Sequence, residues 1–329
     1  MSGGVDSGVT AALLKKQGFE VTGIFMKLFD SSVFKDSEKR ARKTAKMLGI
    51  PIFVLDLRKE FKRRVFDYFL NEYKKGRTPN PCVVCNNEIK FGLLLEKALS
   101  LKTDFVASGH YARKIGSKLL KAKDQDKDQS YFLWKLSQKQ LGRILFPLGS
   151  YTKKKVKFLA KKFKLPLLNI SESQEICFVG KSINDFLKKH LKTKPGIIVN
   201  EKKEEAGRHQ GLCFYTIGQR KGIGLSGGPY YVIGKNLKSN NLVVSRNKKD
   251  LEKNELIAEG INWISGKKPK FPLRVQAKTR SRQKSFSATV NLFGKKLKVI
   301  FDKPQRAITP GQSVVFYSGQ ELLGGGIIK

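Results

Sequence analysis

The spacing of apolar positions changes character once along the chain. Residues 8–17 carry Val9, Ala11, Ala12, Leu13 and Leu14 at helical density, with Gly18 placed as a C′ residue. Val21–Phe25 then reads as a short buried strand, Ser37–Leu48 as a charged helix and Ile50–Leu55 as a second strand. Lys59–Tyr73 places Phe61, Val65, Tyr68 and Phe69 at helical spacing, and Glu88–Ser100 predicts another helix before the strand Phe105–Ala107. Helices alternating with apolar strands imply an α/β domain, a parallel sheet covered on both faces. Beyond about Gly149 come a basic helix, Lys153–Phe163, and a short one capped by Ser182 and running to Leu191. From Gly196 the segments are short, β-branched and separated by Gly, Asn and Lys: Tyr230–Ile233, Leu242–Ser245, Val275–Lys278, Ala288–Leu292, Leu297–Phe301 and Ser313–Tyr317. That pattern predicts antiparallel β structure ending in a small barrel. The expected division is an α/β unit over 1–182, a small, mostly β central unit over 183–248 and a barrel over 249–329.

The chain opens on Ser2-Gly3-Gly4-Val5-Asp6-Ser7. Adjacent glycines let backbone N–H groups turn inward as an anion nest, and the helix that follows puts a partial positive charge behind it. A phosphate group suits such a nest. The run lacks the Gly-Lys-Ser/Thr ending of a Walker A loop and resembles the PP-loop of ATP pyrophosphatases, which cleave ATP between the α- and β-phosphates. A strand normally aims a phosphate loop, and none precedes Met1 in this sequence, so the sequence suggests a truncated fragment or a misassigned start.

Charge narrows the partners. The 329 residues carry 66 Lys and Arg against 27 Asp and Glu, a formal charge of +39, which favours a polyanion such as RNA, DNA or an anionic surface. A lysine-rich proteome is the bland alternative, because the lysines are scattered. Hydrophobic content of 40% excludes a disordered chain. No apolar run approaches the ~18 residues that span a bilayer. Four cysteines, Cys82, Cys85, Cys177 and Cys213, are too few for a disulfide scaffold and point to a reducing, cytoplasmic compartment. A monomer is the default.

Thr78-Pro79-Asn80-Pro81-Cys82-Val83-Val84-Cys85 places a Cys-x-x-Cys in a loop held extended by two prolines, just before the helix expected at Glu88. A helix N-terminus would lower the thiol pKa. Half a zinc site, a structural thiol pair and a reactive loop all remain open. Cys177 stands among polar residues in Ser171–Phe178, whereas Cys213 lies between Leu212 and Phe214 and reads as a small buried hydrophobe.

These segments together resemble the tRNA-specific 2-thiouridylases. The resemblance runs nearly end to end, through Ser2–Ser7, Gly23–Lys27, Asn80–Cys85, Gly109–Arg113, Lys127–Tyr131, Gln174–Cys177, Gly211–Gly222, Lys278–Arg280 and Thr309–Gln312. It implies a PP-loop ATPase-like domain, a central domain and a C-terminal antiparallel β-barrel. It also implies ATP-dependent replacement of the C2 oxygen of a tRNA wobble uridine by sulfur, with AMP and pyrophosphate released. The resemblance places Ser2, Gly3, Gly4, Val5, Asp6, Ser7, Met26 and Gly109 at ATP, with Asp6 helping to hold Mg²⁺. It makes Cys177 the persulfide carrier and Cys85 the thiol that attacks it, through a transient disulfide or release of sulfide. It places Asn80, Pro81, Cys82, His110, Lys127, Asp128, Gln129, Arg280, Ser281 and Gln312 at tRNA. His110 is open between an acid/base part and a plain hydrogen bond. The family often has an aromatic residue where this chain has Ser281, so stacking there is not expected. A [4Fe–4S] cluster on Cys82, Cys85 and Cys177 is a competing reading. Glutamate, lysine and glutamine tRNAs are the implied substrates, and a cysteine desulfurase or a relay protein the implied sulfur donor. Another adenylating PP-loop enzyme and an inactive RNA-binding protein are the alternatives from other classes.

Overall fold

The computed structural model describes residues 1–166, 176–180 and 182–329. Helix α1 (Val5–Lys16) starts directly after Gly4, which is extended at the N-cap, and ends at Gln17. Gly18 follows at φ +86°, a left-handed turn that a side chain would strain. β1 (Gly23–Lys27) and β2 (Ile52–Asp56) pair in parallel with Gly23 opposite Ile52. Between them α2 (Ser32–Leu48) begins at Ser32 rather than Ser37, because the Ser31 hydroxyl caps it by accepting from the Phe34 N–H. Downstream come β3 (Val106–Ala107), a hairpin of β4 (Ala112–Ile115) and β5 (Lys118–Lys121), and β6 (Ile144–Leu145), which pairs in parallel with β3. Among the described residues the parallel sheet is therefore two two-stranded pieces rather than one. α1 buries Val9 and Leu13 against Tyr111, Leu148 and the inner face of helix Lys153–Lys162, from which Val156 and Leu159 project.

Residues 81–100 form one helical stretch, and this corrects the extended loop expected around the two prolines. It is α-helical over Pro81–Val84, π-helical over Cys85–Leu93 and α-helical again over Leu94–Ser100. Pro81 occupies the first turn, where its missing N–H goes unneeded and its fixed φ suits the helix. The Gln140 side-chain amide donates to the carbonyls of Asn87 (3.0 Å) and Phe91 (2.8 Å), giving the π segment partners from outside the helix.

The central unit is a four-stranded sheet of β7 (Gly196–Val199), β8 (Glu205–His209), β9 (Tyr231–Asn236) and β10 (Asn241–Ser245), in the order β8-β7-β10-β9. The C-terminal strands are β11 (Glu252–Trp263), β12 (Leu273–Lys278), β13 (Phe286–Phe293), β14 (Lys296–Arg306), β15 (Ser313–Ser318) and β16 (Glu321–Ile328). They run in the order β11-β14-β13-β12-β15-β16, and β11 pairs with β16 to close an antiparallel barrel around Val275, Val290, Val299, Val314 and Phe316. Closure leaves no free edge among these six strands. The β4–β5 hairpin, a segment the sequence reading leaves unassigned, adds to the outside of β16, with Leu119 opposite Leu322. Beneath it Val83, Phe91, Tyr131 and Trp134 share a core with Val315, Tyr317 and Leu322. The barrel is thus packed directly onto the helix that carries the Cys-x-x-Cys.

Candidate active site

The phosphate loop is rigid by construction. Gly3 has φ +73°, and a Cβ there would lie 2.2 Å from the Ser37 carbonyl oxygen of α2, so only glycine fits. The Arg40 Nε donates to the Gly3 carbonyl at 3.2 Å, and the Ser7 hydroxyl donates to the Gly4 carbonyl at 2.9 Å. The Ser2 N–H and hydroxyl both reach the Ser7 oxygen, at 3.1 and 3.2 Å. The first N–H groups of α1 have no intrahelical acceptor and face the same opening as the glycine turn, an arrangement that suits a phosphate. Asp6 is held on both oxygens. Lys153 Nζ lies 2.8 and 2.9 Å from them, and the Tyr111 hydroxyl donates to one at 2.9 Å. This carboxylate is already neutralised and does not fit the Mg²⁺ site expected of it, so no metal step runs through Asp6. Gly109 packs against the same turn, where a Cβ would meet the Asp6 carbonyl carbon at 3.1 Å. Met26 lies on β1 and packs its side chain on the core.

The thiols lie on two segments. Cys82 and Cys85 are in the first turns of the helical stretch at 81–100, and Cys177 follows residues 167–175, so Ser171–Glu175 of its motif falls outside the described residues. Cys85 is buried, whereas Cys82 and Cys177 reach solvent. Desolvation pushes the Cys85 thiol up to about 12, Lys90 opposes it, and the fields of Cys177 and Cys82 add to it. Desolvation followed by the field of Cys82 pushes Cys177 up to about 11, again against Lys90. Cys177 is exposed yet crowded by enough protein for desolvation to dominate. Cys82 is raised by the same burial. The thiols are thus raised, not lowered as their place at a helix N-terminus suggested: desolvation is the largest effect on each, and the resting groups are thiols. Cys85 feels the fields of both Cys177 and Cys82, and Cys177 feels that of Cys82. No group of three or more His, Cys, Asp or Glu among the described residues is arranged to hold a metal ion. The three cysteines as placed do not fit an iron–sulfur cluster, and no step is derived through one.

Lys90 escaped the sequence reading. In an α-helix residues five apart point to different sides, but a π segment brings them back to one face. Cys85 and Lys90 are five apart in the π segment, which puts an ammonium beside the thiols. Lys90 also acts on His110. That imidazole is buried, with Nδ1 2.6 Å from the Ser108 hydroxyl and ring contacts to Phe91 and Phe146 at 5.7 and 6.4 Å between centroids. Burial and then Lys90 hold its pKa well below 6.5, so it is neutral and suited to hydrogen bonding rather than to donating a proton. Gly109 touches Asp6 and precedes His110, and the field of Lys90 reaches both His110 and the thiols. Cys177 is tethered by Phe178, whose ring stacks on Phe29 at 5.7 Å and meets Phe61 and Phe69 edge-on at 5.6 and 5.2 Å.

Most residues matched to tRNA hold internal bonds. Asp128, its side chain almost wholly buried, accepts from the Ala122 and Ser130 N–H groups (3.0 and 3.2 Å) and the Ser130 hydroxyl (2.9 Å), with Lys278 at 3.9 Å. Gln129 accepts from the Tyr111 N–H at 3.0 Å. Arg280 donates to Ile217 O, Ala307 O and Thr309 Oγ1 at 3.1, 3.2 and 2.9 Å, joining the central unit to the barrel. Gln312 donates to the carbonyls of Thr78 and Pro79. Asn80 and Pro81 are buried beside exposed Cys82, and Lys127 and Ser281 are half-buried in turns. Lys154, Lys155 and Lys157 and the run Lys267, Lys268 and Lys270 are exposed cations. Cys213 is buried in the core, where the sequence put it. No described helix is long and apolar enough to cross a membrane.

A glycine turn at the head of a helix on an α/β core, joined to a small β domain and a closed barrel, defines a three-domain HUP-type protein. Family profiles match in that order: "tRNA methyl transferase HUP domain" over residues 1–181, "tRNA methyl transferase PRC-barrel domain" over 184–246 and "Aminomethyltransferase beta-barrel domain" over 253–328. The chain is 45% identical over its whole length to tRNA-specific 2-thiouridylase MnmA of Geobacillus thermodenitrificans, covering 93% of that protein. It is 46% identical to the enzyme of the same name from Carboxydothermus hydrogenoformans, again over its whole length and 96% of the relative. The chain belongs to the tRNA-specific 2-thiouridylase family. Among solved structures it is similar to U34-tRNA thiolase NcsA from Methanococcus maripaludis with its [4Fe-4S] cluster, at 20% identity and TM-score 0.37, over 57% of this chain and 60% of that one. At that distance nothing is carried over.

Proposed function

We propose that this chain is an ATP-dependent tRNA sulfurtransferase that converts a wobble uridine to 2-thiouridine. The observation that carries the reading is that Gly109, packed on the glycine turn, leads directly into His110, and that the Lys90 ammonium acts on His110 and on Cys82, Cys85 and Cys177 alike. ATP sits at the N-terminus of α1 with its phosphates on Ser2–Ser7 and its base near Met26 and Gly109. The uridine C2 oxygen attacks the α-phosphorus, pyrophosphate leaves, and the adenylated oxygen becomes a good leaving group. The terminal sulfur of a Cys177 persulfide attacks C2 and AMP departs. The Cys85 thiolate then attacks the Cys177 sulfur, leaving the transferred atom on the base and forming a Cys85–Cys177 disulfide that an external thiol reduces. Lys90 favours every anionic species in this sequence.

The +39 charge and the exposed Lys154, Lys155, Lys157, Lys267, Lys268 and Lys270 suit the tRNA backbone. Asn80, Cys82, His110, Lys127 and Ser281 line the route to the thiols, while Asp128, Gln129, Arg280 and Gln312 fix that route in place. Glutamate, lysine and glutamine tRNAs, a persulfide-bearing donor protein, a cytoplasmic location and a monomeric state complete the reading. The test is to incubate the chain with ATP, unmodified tRNA and a persulfide donor. Expected are 2-thiouridine in digested tRNA and AMP and pyrophosphate in equal amounts, both dependent on tRNA. Pyrophosphate formation without 2-thiouridine would point to another adenylating enzyme, and tRNA binding with neither product would point to an inactive binding protein.

A further inference from the structure

The Thr309–Gln312 turn of the barrel is pressed into the segment that leads to the thiols. Gln312 Nε2 donates to Thr78 O at 2.9 Å and to Pro79 O at 3.4 Å, and the Thr78 N–H donates to Pro310 O at 2.9 Å. Gly311 has φ +91°, and a Cβ there would lie 3.0 Å from Arg77 Cβ, Thr78 N and Thr78 O, so the two backbones touch only because this residue is glycine. The central unit grips the same segment from another side, with the Thr216 and Thr78 hydroxyls 3.2 Å apart. One residue earlier Arg77 pairs with buried Glu72 at 3.4 Å and with Glu259 of the barrel at 3.7 Å. Asn80, Pro81 and Cys82 follow directly, and Cys85 is one helical turn further on.

We propose that Gln312 and the turn around it are positioning elements for the thiol helix, so that the barrel sets where Cys82 and Cys85 stand as well as receiving tRNA. The backbone of residues 78–79 leads into the helix, and a helix entry angle dictates where its first-turn side chains point. It has three hydrogen-bonding groups, Thr78 N and O and Pro79 O, since Pro79 lacks an N–H, and all three bond to the barrel. Gln312 Nε2 has both its observed acceptors within this chain, so a tRNA acceptor that takes these N–H groups must release the thiol segment. The proposal rests on the sulfur-transfer reading for its catalytic consequence, but the positioning itself is measurable without catalysis.

The experiment compares the full chain with Gln312→Met, which keeps side-chain length and removes the donor, and with Thr78→Val, which removes the bond to Thr216. Three quantities are read: amide hydrogen exchange over residues 78–90, the rate at which Cys82 and Cys85 react with iodoacetamide without tRNA or ATP, and single-turnover thiolation against tRNA Kd. In Gln312→Met, exchange and alkylation rise about fivefold, the loss of one hydrogen bond's worth of protection. Thiolation falls about tenfold with tRNA Kd within twofold, since misplaced groups slow reaction more than binding. Thr78→Val moves the same quantities in the same direction. Unchanged exchange and alkylation with weakened tRNA binding would make Gln312 a plain tRNA contact and overturn the proposal. Faster exchange and alkylation in a chain whose wild type forms no 2-thiouridine would uphold the positioning and refute the sulfur-transfer reading instead.

Discussion

The reactivity of Cys85 against pH follows from its surroundings. Burial pushes it up to about 12 from an ordinary value of 9.0. At pH 8 its thiolate fraction is about 10⁻⁴, against about 10⁻¹ for an ordinary thiol. A more basic thiolate is a better nucleophile, with a slope of ~0.4–0.5, which returns roughly 20-fold. Exchange of Cys85 with a small disulfide is therefore expected to run roughly 40-fold slower than that of an unhindered thiol at pH 8. It should rise about tenfold per pH unit from pH 7 to about 10, because the thiolate population grows in that proportion. Lys90→Gln removes the cation that opposes this rise and should slow exchange further at every pH. The assay is quenched labelling of tRNA-free protein with a dipyridyl disulfide, resolved by peptide mass spectrometry. A plateau below pH 9, or a faster Lys90→Gln variant, would refute the reasoning, since either means that the resting helix already stabilises thiolate. A slow resting thiol is consistent with a site that becomes reactive only when a substrate changes its surroundings.

His110 gives a second pH dependence. Its folded pKa lies well below 6.5, so the unfolded chain takes a proton that the folded chain refuses. Stability from this site is full above about pH 6.5 and is lost progressively as pH falls below it. Denaturant midpoints at pH 7.5 and 5.5 should differ less in His110→Gln than in the wild type; equal differences would show that the ring is not buried neutral. Gly3→Ala forces a Cβ against the Ser37 carbonyl at a left-handed φ and should cost more than about 1 kcal/mol locally. The readout is a raised KM for ATP with tRNA affinity intact, and an unchanged KM would remove the loop from nucleotide binding.

Much of the architecture was legible because hydrophobic spacing is local. α1, β1, β2 and the helix after Thr152 lie within a few residues of where periodicity put them, and Ser182 caps Ile183–His190 by accepting from the Asp185 N–H as its sequence context suggested. Three things were hidden. β16 runs through Gly324, Gly325 and Gly326, which reads as a turn. The glycines are there because a Cβ on Gly325 would meet Trp134 at 2.9 Å and one on Gly324 would meet Asn262 O at 2.2 Å. That is a packing demand from residues far away in sequence. The β4–β5 hairpin carried a local signal, Gly116-Ser117 between short β-prone runs, but its place beside β16 is a long-range pairing. The π segment has no sequence signature, since it depends on Gln140 reaching in from another helix, and without it Lys90 could not be placed near Cys85. Among the candidate residues, the tight glycine turn at Gly3 and Gly4 was readable from its composition. The roles of Asp128, Gln129, Arg280 and Gln312 as internal ties were not, because most of their partners are backbone carbonyls and N–H groups with no side-chain identity to read.

Whether sulfur travels through Cys177 can be read in a single turnover. Wild-type chain and Cys177→Ser are each incubated with a ³⁵S-persulfide donor, ATP and unmodified tRNA, and the tRNA nucleosides are then separated. The account predicts label in 2-thiouridine for the wild type and none for Cys177→Ser, with both proteins binding ATP alike. Labelled 2-thiouridine from Cys177→Ser would contradict it.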